Sequence, residues 1–296
     1  MQPTASAERQ QALLAPNEEP APATPGNPLG EFVRETLALT WRLFVQLRRR
    51  PSTLVAGVLQ PLMWLVLFGA LFERAPAGML GGDVSYEQFL APGIIVFTAF
   101  SGALNAGLPV MFDREFGFLN RLLVAPLASR YSIVAASTLY ILSLSAIQTA
   151  AIVAASAALG AGLPGAAGLG TITAVVLAVT AGITALSLGL AFALPGHVQL
   201  IAVIFVLNLP LLFASTALAP LAFMADWLQW VASLNPLTYA IAPIRYVYLN
   251  PDWAWGSAVL QAPWGEVTLA SALAVLLGFA AAVSLAIQPL LRRCFA

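Results

Sequence analysis

The sequence predicts an all-α integral membrane fold: six transmembrane helices, an amino-terminal interfacial amphipathic helix, and outer re-entrant helices between spans five and six. Three observations predict it. Of the 296 residues, 60% are hydrophobic and 9% charged, against roughly 25% charged in ordinary soluble domains, and the mean hydropathy is +0.86. The charges are confined to short segments between long uncharged ones. Five of the seven Trp fall between residues 219 and 266, where aromatic rings suit the level of lipid headgroups.

Residues 1–29 hold Pro3, Pro16, Pro20, Pro22, Pro25 and Pro28 among Ala, Glu, Gln and Thr. That composition buries little apolar surface and predicts a disordered tail. It lacks the basic start and apolar run of a secretory signal peptide. Residues 30–50 form the next unit. Val33, Leu37, Trp41 and Phe44 recur at helical spacing, while Glu31, Glu35, Arg42, Gln46 and Arg49 line another face. Acidic residues come first and Arg48, Arg49 and Arg50 last, as the helix dipole favours. Such a helix suits the membrane interface; a soluble helix packed on a partner has the same pattern.

Residues 51–293 form the transmembrane domain. A crossing needs about 20 apolar residues. Charge-free stretches predict spans near Thr53–Phe72 and Pro92–Phe112. Residues 131–225 contain no Asp, Glu, Lys or Arg. Breaks at Gly160–Gly170 and Pro195-Gly196-His197 divide that stretch into spans near Ser132–Leu159, Thr171–Leu194 and Val198–Leu218. A sixth lies near Val267–Leu290. With the amino end inside, eleven Arg face the cytosol (Arg9, Arg34, Arg42, Arg48, Arg49, Arg50, Arg114, Arg121, Arg130, Arg292, Arg293), against Arg74 and Arg245 outside. That bias places both termini in the cytoplasm.

Composition excludes several chemistries. All 13 basic side chains are Arg, balanced by 13 acidic ones, so there is no global basic field for nucleic acid. A chain without Lys has no P-loop Lys to reach nucleotide phosphates and no Schiff-base nucleophile. Cys294 and His197 are the sole Cys and His, which leaves no disulfide within the chain and no expected metal site. No G-x-S-x-G elbow accompanies His197, so a turn-capping role is expected for it. No carboxylate lies inside a predicted span. Carriers driven by proton or sodium gradients usually need one, which weighs against the alternative of an ion-driven secondary transporter or channel.

Two segments and a few polar residues stand out as candidate sites. The loop after span two reads Asp113-Arg114-Glu115-Phe116-Gly117-Phe118-Leu119-Asn120-Arg121 and continues to Arg130. Phe116, Leu119, Leu122 and Leu123 can share one face of a short helix that Pro126 ends. Such a helix can dock in a partner's groove or simply lie on the membrane. The outer segment contains Asp226, Trp227, Trp230, Asn235, Pro236, Tyr239 and Arg245. It is too apolar for a free loop, yet Asp226, Arg245 and Asp252 oppose a full crossing. Two short helices dipping into the outer leaflet and turning at Asn235-Pro236 reconcile these features. Within the spans, Asn105 and Asn208 are candidates for bridging helices or lining a pathway.

These blocks, in this order, resemble the membrane subunits of type-2 ABC exporters, the permeases of drug-resistance, lipo-oligosaccharide and polysaccharide export. Asp113-Arg114-Glu115-Phe116-Gly117…Arg130 is similar to the family's coupling helix, which docks on the ATPase. Pro220…Trp227-Leu228-Gln229-Trp230…Asn235-Pro236-Leu237-Thr238-Tyr239 is similar to its re-entrant helices, and Glu31–Arg50 to its interfacial helix. The resemblance covers about residues 30–293. It implies an inner-membrane permease that pairs with a second copy or a paralogue amid membrane lipid. It implies two separate ATPase subunits that carry ATP and Mg, with no cofactor on this chain. Relatives often carry an acidic residue shortly before the Arg after the Asn-Pro-Leu block; Ala240–Ile244 has none, and Asp226 is the nearest substitute.

Overall fold

The computed structural model describes residues 27–72, 86–124, 129–160 and 162–295. The expected tail therefore lies outside the described residues except for its last three, as do Arg74 and the Pro126 stop. In chain order the helices are α1 (Pro28–Arg49), α2 (Pro51–Phe72), α3 (Tyr86–Leu104), α4 (Gly107–Glu115), α5 (Phe118–Val124) and α6 (Tyr131–Ala158). Then follow α7 (Ala166–Ala193), α8 (His197–Phe213), a 3-10 turn at Leu221–Phe223, α9 (Asp226–Leu234) and α10 (Pro236–Leu249). A hairpin of β1 (Ala258–Ala262) and β2 (Gly265–Thr268) precedes α11 (Leu269–Phe295).

Local chemistry sets the breaks. The Asn27 side chain caps α1, accepting from Leu29 N at 3.2 Å, and Pro28 occupies its first turn. Pro51 disfavours helical backbone at Arg50, which separates α1 from α2. Gly160 and Gly162, at φ +98° and +82°, turn the chain between α6 and α7. Thr268 caps α11, its Oγ1 accepting from Ser271 N at 3.2 Å while its own N–H donates to Ser271 Oγ at 2.9 Å.

Helix α7 is the central element, packed against α3, α4, α6, α10 and α11. Small residues let its neighbours close on it. A Cβ at Gly182 would sit 2.7 Å from the Phe279 ring, and one at Gly189 would sit 2.5 Å from Ile287. A buried hydroxyl pair, Ser145–Thr180 at 3.1 Å, joins α6 to α7. The main core draws on Ile94, Ile95 and Phe100 of α3 and on Ile172 and Ile183 of α7. The outer helices α2 and α11 instead expose Leu59, Leu67, Leu71, Leu277 and Leu285, an apolar perimeter suited to lipid.

Among the described residues, five helices are long and apolar enough to cross a membrane: α2, α3–α4 taken together, α6, α7 and α11. The expected fifth crossing is α8, an apolar helix of 17 residues, about 25 Å long at 1.5 Å per residue. Six crossings were expected, and α8 falls short of the predicted Val198–Leu218. Its final turns are closed by side chains: Asn235 Nδ2 donates to Leu211 O at 2.7 Å and Ser215 Oγ to Leu212 O at 2.6 Å. The hairpin is a small exception to the expected all-α fold.

The second span is also broken. Asn105 and Ala106 interrupt it between α3 and α4. The Ser187 hydroxyl of α7 fills the gap, donating to Leu104 O at 2.6 Å and accepting from Gly107 N at 2.9 Å. A Cβ at Gly107 would run into the Ser187 carbonyl, so Gly permits this approach. Asn105 donates back to Ser101 O of α3 at 2.7 Å.

Candidate functional site

The two candidate segments meet opposite ends of α8. At its amino end, α4 finishes with three charged residues, each engaged inside the chain. Asp113 pairs with Arg42 of α1 at 3.1 Å, and the Arg42 guanidinium lies 4.1 Å from the centre of the Phe118 ring. Arg114 donates to Ala191 O at 2.8 Å, Phe192 O at 3.3 Å and Pro195 O at 2.9 Å, covering carbonyls at the carboxyl end of α7. Glu115 accepts the His197 N–H at 2.7 Å and pairs with the same residue's Nδ1. Because Gly196 brings no side chain to cap α8, Glu115 supplies the missing anion at that helix terminus. A Cβ at Gly196 would stand 2.7 Å from the carboxylate.

Gly117, at φ +76°, turns the chain from α4 into α5. That turn corrects the expectation of one shared apolar face. Phe116 is 78% exposed, whereas Leu119 is 4% exposed, packed in a small core with Val110, Leu188 and Leu291. A continuous helix would have kept the two side chains together; the left-handed glycine rotates them apart. Arg121 and Val124 are also exposed on this segment. Phe112 links the cluster, its ring 6.0 Å from Phe116 and 5.3 Å from His197 between centroids.

Near the middle of α8, Asn208 accepts from Ser101 Oγ at 3.4 Å, bridging α8 to α3. Asn105 is exposed and makes no such bridge among the described residues.

At the carboxyl end of α8, Asn235 serves two elements. Its Oδ1 caps α10 by accepting from Leu237 N at 2.9 Å, with Pro236 in the first turn. Its Nδ2 donates to Leu211 O at 2.7 Å and Ala214 O at 2.5 Å. Asp226 opens α9 and is exposed, as are Trp227 and Trp230. Trp230 meets Trp264 of the hairpin turn at 5.8 Å between centroids. Tyr239 is buried in α10.

Arg245, also on α10, is not met by Asp226. Its Nε donates to Phe89 O at 3.1 Å and its Nη2 to Thr216 O at 2.6 Å, and its guanidinium lies 3.7 Å from the centre of the Phe89 ring. Its guanidinium remains a cation at neutral pH. Beside it a cleft of about 560 Å³ opens between α10, the 216–222 turn and β1.

Sequence reasoning missed several contributors. Ser187, Phe89 and Thr216 carry no local signal, because their partners lie far along the chain. The hairpin did have one: Ala258–Ala262 leads through Trp264 to Gly265, at φ +135°, which pairs with Ala262.

The family described as ABC-2 type transporter matches residues 34–249. The putative transport permease ycf38 of Porphyra purpurea is 54% identical over 247 residues, covering 83% of this chain and 85% of the relative. That of Cyanophora paradoxa is 51% identical over 248 residues, covering 84% and 86%. The daunorubicin resistance ABC transporter permease protein DrrB1 of Streptomyces coeruleorubidus is 26% identical over 247 residues, covering 82% of each chain.

Proposed function

The chain belongs to the ABC-2 type transporter family, and on that premise we propose that it is the membrane-spanning permease subunit of an ATP-driven exporter. Two ATPase subunits carry ATP and Mg beneath it, and a second copy or a paralogue completes the pathway. The cargo is amphipathic: a lipid-linked saccharide, a glycolipid or a drug. The name of the daunorubicin-resistance relative supports that class. The protein sits in the inner membrane with both termini cytoplasmic. It makes six crossings that count α8, with α1 at the interface and α9 and α10 as outer re-entrant helices. The exposed apolar stripe of α1, with Trp41 71% exposed, supports the interfacial placement.

One observation carries the mechanism: α8 is tied to both candidate segments. Glu115 holds its amino end next to exposed Phe116, and Asn235 holds its carboxyl end. In this reading the ATPases grip Phe116, Arg121 and Val124, and their closure on ATP moves the loop. Asp113, Arg114 and Glu115 pass that motion to α1, α7 and α8, which open the outer side beneath α9 and α10. ATP drives the cycle by binding one conformation better than the other.

The test is hydrolysis by the ATPase purified with this chain. Phe116→Asp places a charge on the exposed ring position and is expected to cut stimulated hydrolysis about tenfold or more, the scale of losing one aromatic anchor. Unchanged hydrolysis and unchanged copurification would remove the docking role.

A further inference from the structure

We propose that the outer cleft binds the anionic group of an amphipathic molecule, a phosphate or carboxylate on an apolar body, with Arg245 and the Thr216 hydroxyl as donors. This goes beyond the permease reading, because binding here needs neither nucleotide nor an ATPase.

The cleft, about 560 Å³, falls within the common size range of small-molecule sites. Among the described residues that line it, Arg245 is the one ionic group and no carboxylate is present. The guanidinium is held from behind. Nε and Nη2 are spent on the Phe89 and Thr216 carbonyls and one face on the Phe89 ring. Nη1 makes no hydrogen bond among the described residues. Carbonyl dipoles orient the cation but do not neutralise it, and a partly buried cation without an anion leaves its strongest possible interaction unmade.

Thr216 is an independent second observation. It is 3% exposed, and its hydroxyl has no hydrogen-bond partner among the described residues, although it lines the same cleft. An unpaired buried hydroxyl is costly and calls for a partner. The Arg245 Nη1 and the unpaired Thr216 hydroxyl, joined through the Thr216 backbone, thus border a cleft with no carboxylate among the described residues that line it. Leu221 and Leu260 supply apolar wall, which suits a ligand with a hydrocarbon body rather than a bare ion.

Native mass spectrometry of the full-length chain in neutral detergent tests the proposal, with equal amounts of dioleoyl phosphatidic acid and dioleoylglycerol offered. The two lipids differ in the phosphate. The wild-type chain is expected to retain phosphatidic acid about tenfold over the neutral lipid, the value of one charge-assisted hydrogen bond. Arg245→Gln should bring the ratio near parity, and Thr216→Val should lower it about threefold. Because Arg245 also braces the fold, Ala222→Asp is the second probe. Ala222 is exposed on the cleft wall, so a carboxylate there repels the same anion without touching the Arg245 bonds, and it too should lower the ratio about threefold. Added inorganic phosphate separates the sources. Displacement of the lipid identifies a site satisfied by the free anion, and persistence identifies one that needs the acyl body. Equal retention of the two lipids by the wild-type chain, or a ratio unmoved by Arg245→Gln and Ala222→Asp, overturns the proposal.

Discussion

Ser187 donates to Leu104 O and accepts from Gly107 N, so one hydroxyl takes over backbone bonds that the Asn105–Ala106 break removes. Ser187→Ala leaves both groups buried and unpaired, and thermal unfolding in detergent should show a loss of about 1–3 kcal/mol. Gly107→Ala should lower the melting temperature further, because its Cβ meets the Ser187 carbonyl, which is backbone and cannot swing aside. Glu115 and Phe116 are adjacent but differ in what they hold. Glu115→Ala removes the anion that caps α8 and should lower the melting temperature of the isolated chain, with no ATPase present. Phe116→Asp should leave that melting temperature unchanged, since the ring it removes is exposed. A fall in melting temperature for both would place Phe116 in the fold rather than on a docking surface.

At the scale of elements, Asn235 decides where α8 ends and α10 begins. Asn235→Ala loses the cap and both bonds to α8 and should destabilise by about 2–3 kcal/mol. Asn235→Asp keeps an acceptor for Leu237 N but sets a carboxylate against the carbonyls of Leu211 and Ala214. Its melting temperature should fall at least as far as that of the Ala variant, although Asp is a good helix cap. A milder effect of Asp would show that the cap, not the tie to α8, is what matters. The hairpin is a second element with two roles. Its strand β1 walls the cleft, and the cross-strand pair Gln261–Glu266, at 2.7 Å, fixes its register.

For the whole molecule, the proposed topology puts the α4–α5 segment and the hairpin on opposite sides of the bilayer. Cys294 is the sole cysteine, so a Cys294→Ala background allows single cysteines to be placed at Arg121 and Trp264. In right-side-out vesicles an impermeant maleimide should label the Trp264 position and spare the Arg121 position until the membrane is opened. Labelling of both from one side would overturn the proposed topology and the coupling route with it.

The helices themselves were legible because lipid imposes a one-dimensional rule: uncharged stretches of crossing length, bounded by Gly, Pro and Arg, are visible without knowing any neighbour. The same rule marked the charged cluster at 113–115 and the aromatic outer segment as exceptions. What those exceptions do was decided by tertiary structure. The partners of Asp113, Arg114 and Glu115 stand 71 to 82 positions away, and Arg245 finds Phe89 across 156. No local pattern encodes such pairings, since they exist only after α7 has drawn its neighbours together. Length and polarity therefore followed from the order of residues, whereas the helix ties and the placing of Arg245 beside the cleft followed from packing.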